Sequence, residues 1–208
     1  GKDYVSVVSA DNYGNGVASA HILANSIGKK GKIAALYHDA DFFVTEQRYE
    51  GFKKTIEEEY PDIQIIAEKG VSDSDLVAQS QQQADAIINQ NPDLAGMWAP
   101  WDVPAEGVMA AARSAGRNDL KITTIDLGES VGVAMAQNQL ISGTSAQRPY
   151  DQGVTEAKIA AGARVLGKTY PTYVALSALP VTRTNLKKAW SEVYHSDLPS
   201  NIADLMKN

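Results

Sequence analysis

Apolar and polar positions change period repeatedly along the chain, and the changes define its elements. Tyr4–Ser9 is a short, β-branched apolar run, the pattern of a strand buried on both faces of a parallel sheet. Val17, Ala20, Leu23, Ala24 and Ile27 then fall on one helical face, with Gly28 placed to end the helix. Lys32–Tyr37 reads as a second strand. Thr45 is the expected cap of a helix that carries Tyr49, Phe52 and Ile56 and closes at Pro61. Ile63–Ala67 is the third strand, and a long helix from about Ser74 to Gln90 stops at Asn91–Pro92. Leu94–Ala99 is the fourth strand, before a helix from Pro104 to Ala115 that ends at Gly116. Lys121–Ile125 is the fifth, with a short helix near Val131–Gln137, and Leu140–Ala146 is the sixth. Pro149 opens a helix that ends near Gly167, Tyr173–Leu176 is a seventh strand, and Asn185–Tyr194 is an amphipathic helix. Strands separated by helices of ten to twenty residues predict crossover units and an α/β fold with a doubly wound parallel sheet. No internal repeat, low-complexity tract or flexible linker interrupts it.

With 208 residues and 44% apolar content, the chain suffices for one large domain or two small ones with a real core. Lys and Arg total 19 against 25 Asp and Glu, a formal charge of −6, which argues against nucleic acid and against an anionic membrane face. The absence of cysteine removes disulfides and thiolate metal sites. No apolar run approaches the roughly 20 residues that span a bilayer, and no signal peptide opens the sequence.

In a doubly wound sheet, ligands bind in the crevice beyond the carboxyl ends of the strands. The stretches to inspect are therefore His38–Val44, Glu68–Asp75, Pro100–Pro104, Asp126–Glu129 and Gln147–Tyr150. They hold Phe42 and Phe43, with Arg48 just behind, then Trp101 and Asp102, then Asp126, then Gln147 and Arg148. This inventory suits a neutral polyol. Carboxylates accept from hydroxyls, Arg and amide donate, and an aromatic face covers the C–H side of a sugar ring. Each residue also has a plainer reading. Arg48 equally fits a surface pair with Glu46 or Glu50, Trp101 a packed rim position, Asp126 a helix cap, and Gln147 an ordinary strand end. Their common placement on one sheet edge favours binding.

Other motifs carry little chemistry. Gly14-Asn15-Gly16 lacks dinucleotide spacing, and the Gly28–Lys32 run follows a helix, the wrong context for a phosphate loop. His21, His38 and His195 make no ligand spacing and read as helix-face, loop and tail residues. Asp73 and Asp75 read as charges at a helix N-terminus. Neither a nucleophile–base pair nor a metal cluster stands out, so catalysis, cofactor and metal are not expected.

Several runs together resemble ribose-type periplasmic sugar-binding proteins, the soluble receptors of ABC importers. They are Ser9-Ala10-Asp11-Asn12 with Gly16, Gly31-Lys32-Ile33-Ala34, Glu46-Gln47-Arg48-Tyr49-Glu50-Gly51-Phe52 and Asn91-Pro92-Asp93-Leu94, then Asp102 with Gly107, Ile125-Asp126, and Ala146-Gln147 with Gly153. The likeness runs from about Val5 to Asn185. It implies a periplasmic-binding-protein-like fold in which two lobes, joined by three crossings, close on a sugar. The family's helix-start Arg falls on Arg48, its strand-end Asp on Asp126 and its crossing Gln on Gln147. Trp101 stands where the family has Asn, which exchanges an amide for a stacking surface. The aromatic expected near Ser72-Asp73 is missing.

The resemblance further implies a division: residues 1–9 as a remnant strand of the N-terminal lobe, 10–147 as the complete C-terminal lobe, 148–180 as a helix and strand of the N-terminal lobe, and 181–208 as a tail returning to the C-terminal lobe. The family's first strand–helix units are expected to lie outside this sequence. Apolar residues of Pro149–Leu176 would then lack their usual cover, and a homodimer would supply it. The implied function is that of a periplasmic solute-binding component, taking a monosaccharide or polyol, partnered by an ABC transporter permease, with neither nucleic acid nor direct membrane insertion. Two rivals stand beside it: the effector-binding core of a LacI-type DNA-binding repressor, which shares the fold, and a small α/β enzyme.

Overall fold

The computed structural model describes residues 3–72 and 75–207. The chain alternates β1 (Val7–Ala10), α1 (Asn12–Ser26), β2 (Gly31–His38), α2 (Phe43–Glu59), β3 (Ile63–Val71), α3 (Leu76–Gln90), β4 (Leu94–Trp98) and α4 (Asp102–Ser114). It continues through β5 (Lys121–Ile125), α5 (Glu129–Ala136), β6 (Ile141–Ala146), α6 (Pro149–Leu166), β7 (Tyr173–Leu176), β8 (Leu179–Val181), α7 (Leu186–Tyr194) and α8 (Ser200–Leu205). The main sheet has the order β3-β2-β4-β5-β6-β8, parallel except where β8 runs against β6. β1 and β7 form a separate parallel pair. This is the doubly wound α/β sheet expected from the alternation.

The strands' two-residue period divides the core between the sheet's two faces. Ile33, Ala35, Trp98 and Ile125 pack with Leu23 of α1 and Phe52 of α2. Ala34, Leu36, Met97 and Ile122 pack on the other face with α3, α4, α5 and the C-terminal helices. Trp98 stacks on Phe52 at 4.6 Å, and its indole N–H donates to Ser19 Oγ at 2.9 Å.

Several sequence expectations need correction. The first strand is Val7–Ala10, later than Tyr4–Ser9. Thr45 does not cap α2. The cap is Phe42, and the Thr45 hydroxyl, inside the first turn, donates to the Phe42 carbonyl at 3.1 Å. β3 extends to Val71 with a bulge opposite Ile33 and Ala34, so Glu68 lies within the strand, where its carboxylate pairs with Lys53. α4 starts at Asp102 and α5 at Glu129, each two residues before the predicted start. β8 and α8 were not predicted as elements. Asp75 does cap α3, accepting from the Ala78 amide, whereas Asp73 and Ser74 lie outside the described residues.

α1 and α2 approach so closely that side chains are excluded between them. A Cβ on Gly16 would lie 2.1 Å from the Arg48 carbonyl oxygen, and one on Gly51 would lie 2.2 Å from that of Tyr13. Both contacts are with backbone, so neither can yield cheaply. The paired glycines thereby set α2 on α1 at the turn that carries Arg48.

Candidate functional site

Arg48 heads the site from the buried stripe of α2, where Thr45, Arg48, Phe52 and Thr55 recur at helical spacing. It is 3% exposed, unlike a surface partner of Glu46 or Glu50. One terminal nitrogen donates to Asp126 Oδ2 at 3.0 Å and to the Pro100 carbonyl at 3.1 Å, and the other reaches Asp126 Oδ1 at 3.4 Å. The side chain of Gln147, after β6, donates to the same Oδ1 at 2.7 Å. A carboxylate after β5 is thus gripped by a cation from α2 and an amide after β6. The Arg48 Nε is buried without a partner among the described residues.

The backbone holds Asp126 as firmly as the side chains do. Its φ of 72° is left-handed, a region that Asp tolerates better than most residues. Its amide donates to Ser145 and its carbonyl accepts from the Thr144 hydroxyl, 2.7 Å away. The cap of α5 is Gly128, so Asp126 is not that helix's cap.

Arg48 and Gln147 line an open pocket of about 340 Å³ with His38, Phe42, Val44, Thr45 and Trp101, within the size range of small-molecule sites. Trp101 and His38 meet edge to face at 5.1 Å, and Phe42 closes on His38 at 6.3 Å. Of the predicted site residues, Arg48, Trp101, Gln147 and Phe42 therefore share one pocket, with Asp126 bonded to two of them. Phe43 is exposed beside Phe42 and does not line the pocket. Asp102, in the first turn of α4, does not line the pocket either, and it lies so close to Gly128 that a Cβ there would sit 2.2 Å from its carboxylate. Burial, then the charges of Asp126 and Glu106, push the Asp102 carboxyl above its ordinary range.

Sequence reasoning passed over His38 and Thr45 as binding residues. His38 is the last residue of β2 and not a loop residue. One signal was available: it is the first polar side chain at the carboxyl end of an apolar central strand. His21 does lie on the helix face, 2.7 Å from the Tyr60 hydroxyl. His195 ends α7, stacked on Tyr150 and 3.2 Å from Asp151.

A pocket of hydrogen-bonding and aromatic groups at the strand ends of a doubly wound sheet is where α/β proteins commonly bind small ligands. The chain belongs to the periplasmic binding protein domain family, whose sequence profile matches residues 1–168. It is 27% identical over 148 residues to a D-apiose import binding protein of Actinobacillus succinogenes, covering 71% of this chain and 47% of that protein. A ribose operon repressor of Halalkalibacterium halodurans is 29% identical over 164 residues, with coverages of 74% and 44%. The chain thus spans about half the length of these curated relatives. Among solved structures, an arabinose-binding protein from Geobacillus stearothermophilus superposes with a TM-score of 0.80 at 25% identity, over 90% of this chain and 66% of that one. An ABC transporter solute-binding protein from Actinobacillus succinogenes, with bound D-allose, gives 0.79 at 28% identity, over 88% and 63%. These relatives establish the type I periplasmic-binding fold and a kinship with sugar-binding proteins of ABC transporters.

Proposed function

We propose that this chain is the greater part of an extracytoplasmic solute-binding protein of an ABC importer, and that it binds a neutral monosaccharide or polyol without chemistry. The observation that carries this is the Arg48–Asp126–Gln147 network beside Trp101. Fixed polar groups and an indole surface converge on a pocket of fitting size. In this reading Trp101 stacks on the ring, Asp126 and Gln147 take hydroxyls, and Asp102 and Phe43 support the rim from outside the pocket. Residues 10–147 form one lobe, 1–9 and 148–180 belong to the other, and 181–208 return to the first. The setting is the periplasm, and the macromolecular partner is the permease.

The test is a thermal-shift and calorimetric screen of the full-length protein against D-allose, D-arabinose, D-tagatose and myo-inositol. A binder raises the melting point with the logarithm of its saturation. It should also change tryptophan fluorescence, and Trp101→Ala should abolish most of that change. Trp98 and Trp190 are both buried and serve as internal controls. The screen belongs to the full-length protein, because the segment outside this chain is expected to supply about half of the ligand contacts and the chain alone is expected to bind poorly. A full-length protein that binds nothing in the panel would sink the reading. The effector core of a repressor is the second reading, favoured by the likeness to the ribose operon repressor. A signal peptide in the complete gene supports the receptor, and a DNA-binding headpiece supports the repressor.

A further inference from the structure

His38 faces the pocket with one ring nitrogen partnered and the other without a hydrogen bond among the described residues. Its Nδ1 lies 3.0 Å from the Thr45 hydroxyl oxygen. That hydroxyl has a single hydrogen and lies 3.1 Å from the Phe42 carbonyl, which can take it in addition to the amides of Thr45 and Glu46. With that hydrogen on the Phe42 carbonyl, Thr45 accepts from His38 and the proton of the neutral ring sits on Nδ1, the arrangement on which the proposal rests. This leaves a bare lone pair on Nε2. Among the described residues Nε2 makes no hydrogen bond, and the half-buried ring lines both the pocket beside Trp101 and a second one of about 450 Å³ next to it.

The sheet order places this acceptor relative to the rest of the site. β2 is separated from β5 by β4 alone, so the ends of the two strands lie roughly 10 Å apart at the usual strand spacing. Trp101, which follows β4, stands between them. A hexose or cyclitol ring lying against the indole, with a hydroxyl at each edge, bridges that distance. The pocket's cation is also committed, because Arg48 is paired with Asp126 and Pro100. An acceptor at one end and a neutralised ion pair at the other disfavour a carboxylate or phosphate on the ligand.

Resting on the sugar-binding reading, we propose that His38 is a specificity-determining contact: its Nε2 accepts a hydrogen bond from a hydroxyl of a neutral polyol, and Thr45 is the positioning residue that keeps Nε2 unprotonated. A ligand lacking a donor at that end, or carrying an anion there, is rejected because the lone pair is left unmatched.

The test combines calorimetry on the full-length protein with ¹⁵N spectra of its labelled imidazoles at about pH 8, where an ordinary imidazole is neutral. His38→Phe assigns the His38 signals against those of His21 and His195. The ligand-free protein should show His38 protonated at Nδ1 and bare at Nε2, and Thr45→Val should turn this into a mixture of tautomers. Whichever of D-allose, D-arabinose, D-tagatose or myo-inositol binds should shift the Nε2 resonance. His38→Phe should weaken that sugar about three- to tenfold, the effect of one neutral hydrogen bond, and His38→Gln should recover part of the loss. D-Glucuronate should bind more weakly than the neutral sugars. A proton on Nε2 in the free protein would overturn the proposal. So would a bound sugar that leaves Nε2 unmoved and His38→Phe unweakened, or glucuronate binding as tightly as the neutral sugars. If none of the four sugars binds the unsubstituted full-length protein, the sugar-binding reading fails and takes this one with it.

Discussion

At the scale of residues, the site is held by an ion pair and a carboxylate drawn partly out of water. Arg48 is buried while its partner Asp126 is 22% exposed, so removing Asp126 strands a buried cation and weakens the fold as well as any binding. Asp102 is the more informative carboxylate, because it carries the burden of burial without a cation. Its pKa is raised in the folded chain, chiefly by desolvation and next by Asp126 and Glu106. Between the unfolded value, about 3.9, and the raised folded value, the native state therefore binds more protons than the unfolded one. Stability contributed by this group falls as pH rises through that window, and at neutral pH its charge is a net cost. Asp102→Asn removes the charge while retaining an acceptor for the first turn of α4. It should melt above the unsubstituted chain at pH 7, with the gap closing as the pH is lowered through the window. A lower melting point for Asp102→Asn at pH 7 would show that the helix N-terminus compensates the charge fully.

Among the elements, α2 shows how much of the site was legible and where legibility stopped. Arg48 lies between Glu46 and Glu50, which suggests a surface ion pair when neighbours along the chain are considered alone. The stripe of Thr45, Arg48, Phe52 and Thr55 instead places it on the buried face, a signal present in the same residues. The close approach that seats it is a backbone matter. Gly16→Ala should drive its methyl into the Arg48 carbonyl and push α2 away from α1. Overpacking of this kind destabilises by about 1–3 kcal/mol, so denaturant melts should show that loss, whereas Gly153→Ala, with open space around it, should not. Equal midpoints for the two variants would mean that the helices accommodate the methyl. The alternation of strands and helices was plain because each strand is an apolar run bounded by polar turns. β8 was hidden because it is three residues long with Pro180 at its centre, a residue tolerated only where a strand lies at a sheet edge. α8 was hidden because one residue of its six, Ile202, is buried and no periodicity can be read from that. The His38–Thr45 relay was hidden because it depends on a helix starting two residues before the predicted cap.

The whole molecule is unevenly stabilised. The six-stranded sheet is covered on both faces, while β1, β7 and α6 form a thin annex. Of the 18 residues of α6, Ile159 and Gly162 are buried, and Val165 and Leu166 are 77% and 65% exposed. Tyr4, Val5, Val7 and Tyr173 add exposed apolar surface beside them. A two-stranded pair is marginal by itself, and both of its outer edges offer unpaired backbone groups to another strand. The annex touches the larger body through a few polar and stacked contacts: Tyr150 on His195, Asp151 with His195, and α6 against α7. Apolar surface of this kind is lowered in free energy by any cover that packs on it, and a second copy offers the same surface in self-complementary form. The chain at tens of micromolar is therefore expected to self-associate, with light scattering giving a mass that rises with concentration. Amides of Pro149–Leu176 should exchange faster than those of β2, β4 and β5 in dilute solution and slow as the concentration rises. A concentration-independent monomer in which Pro149–Leu176 exchanges as slowly as the central strands would show that α6 and β7 find enough cover within one chain, and the self-association expected here would be wrong.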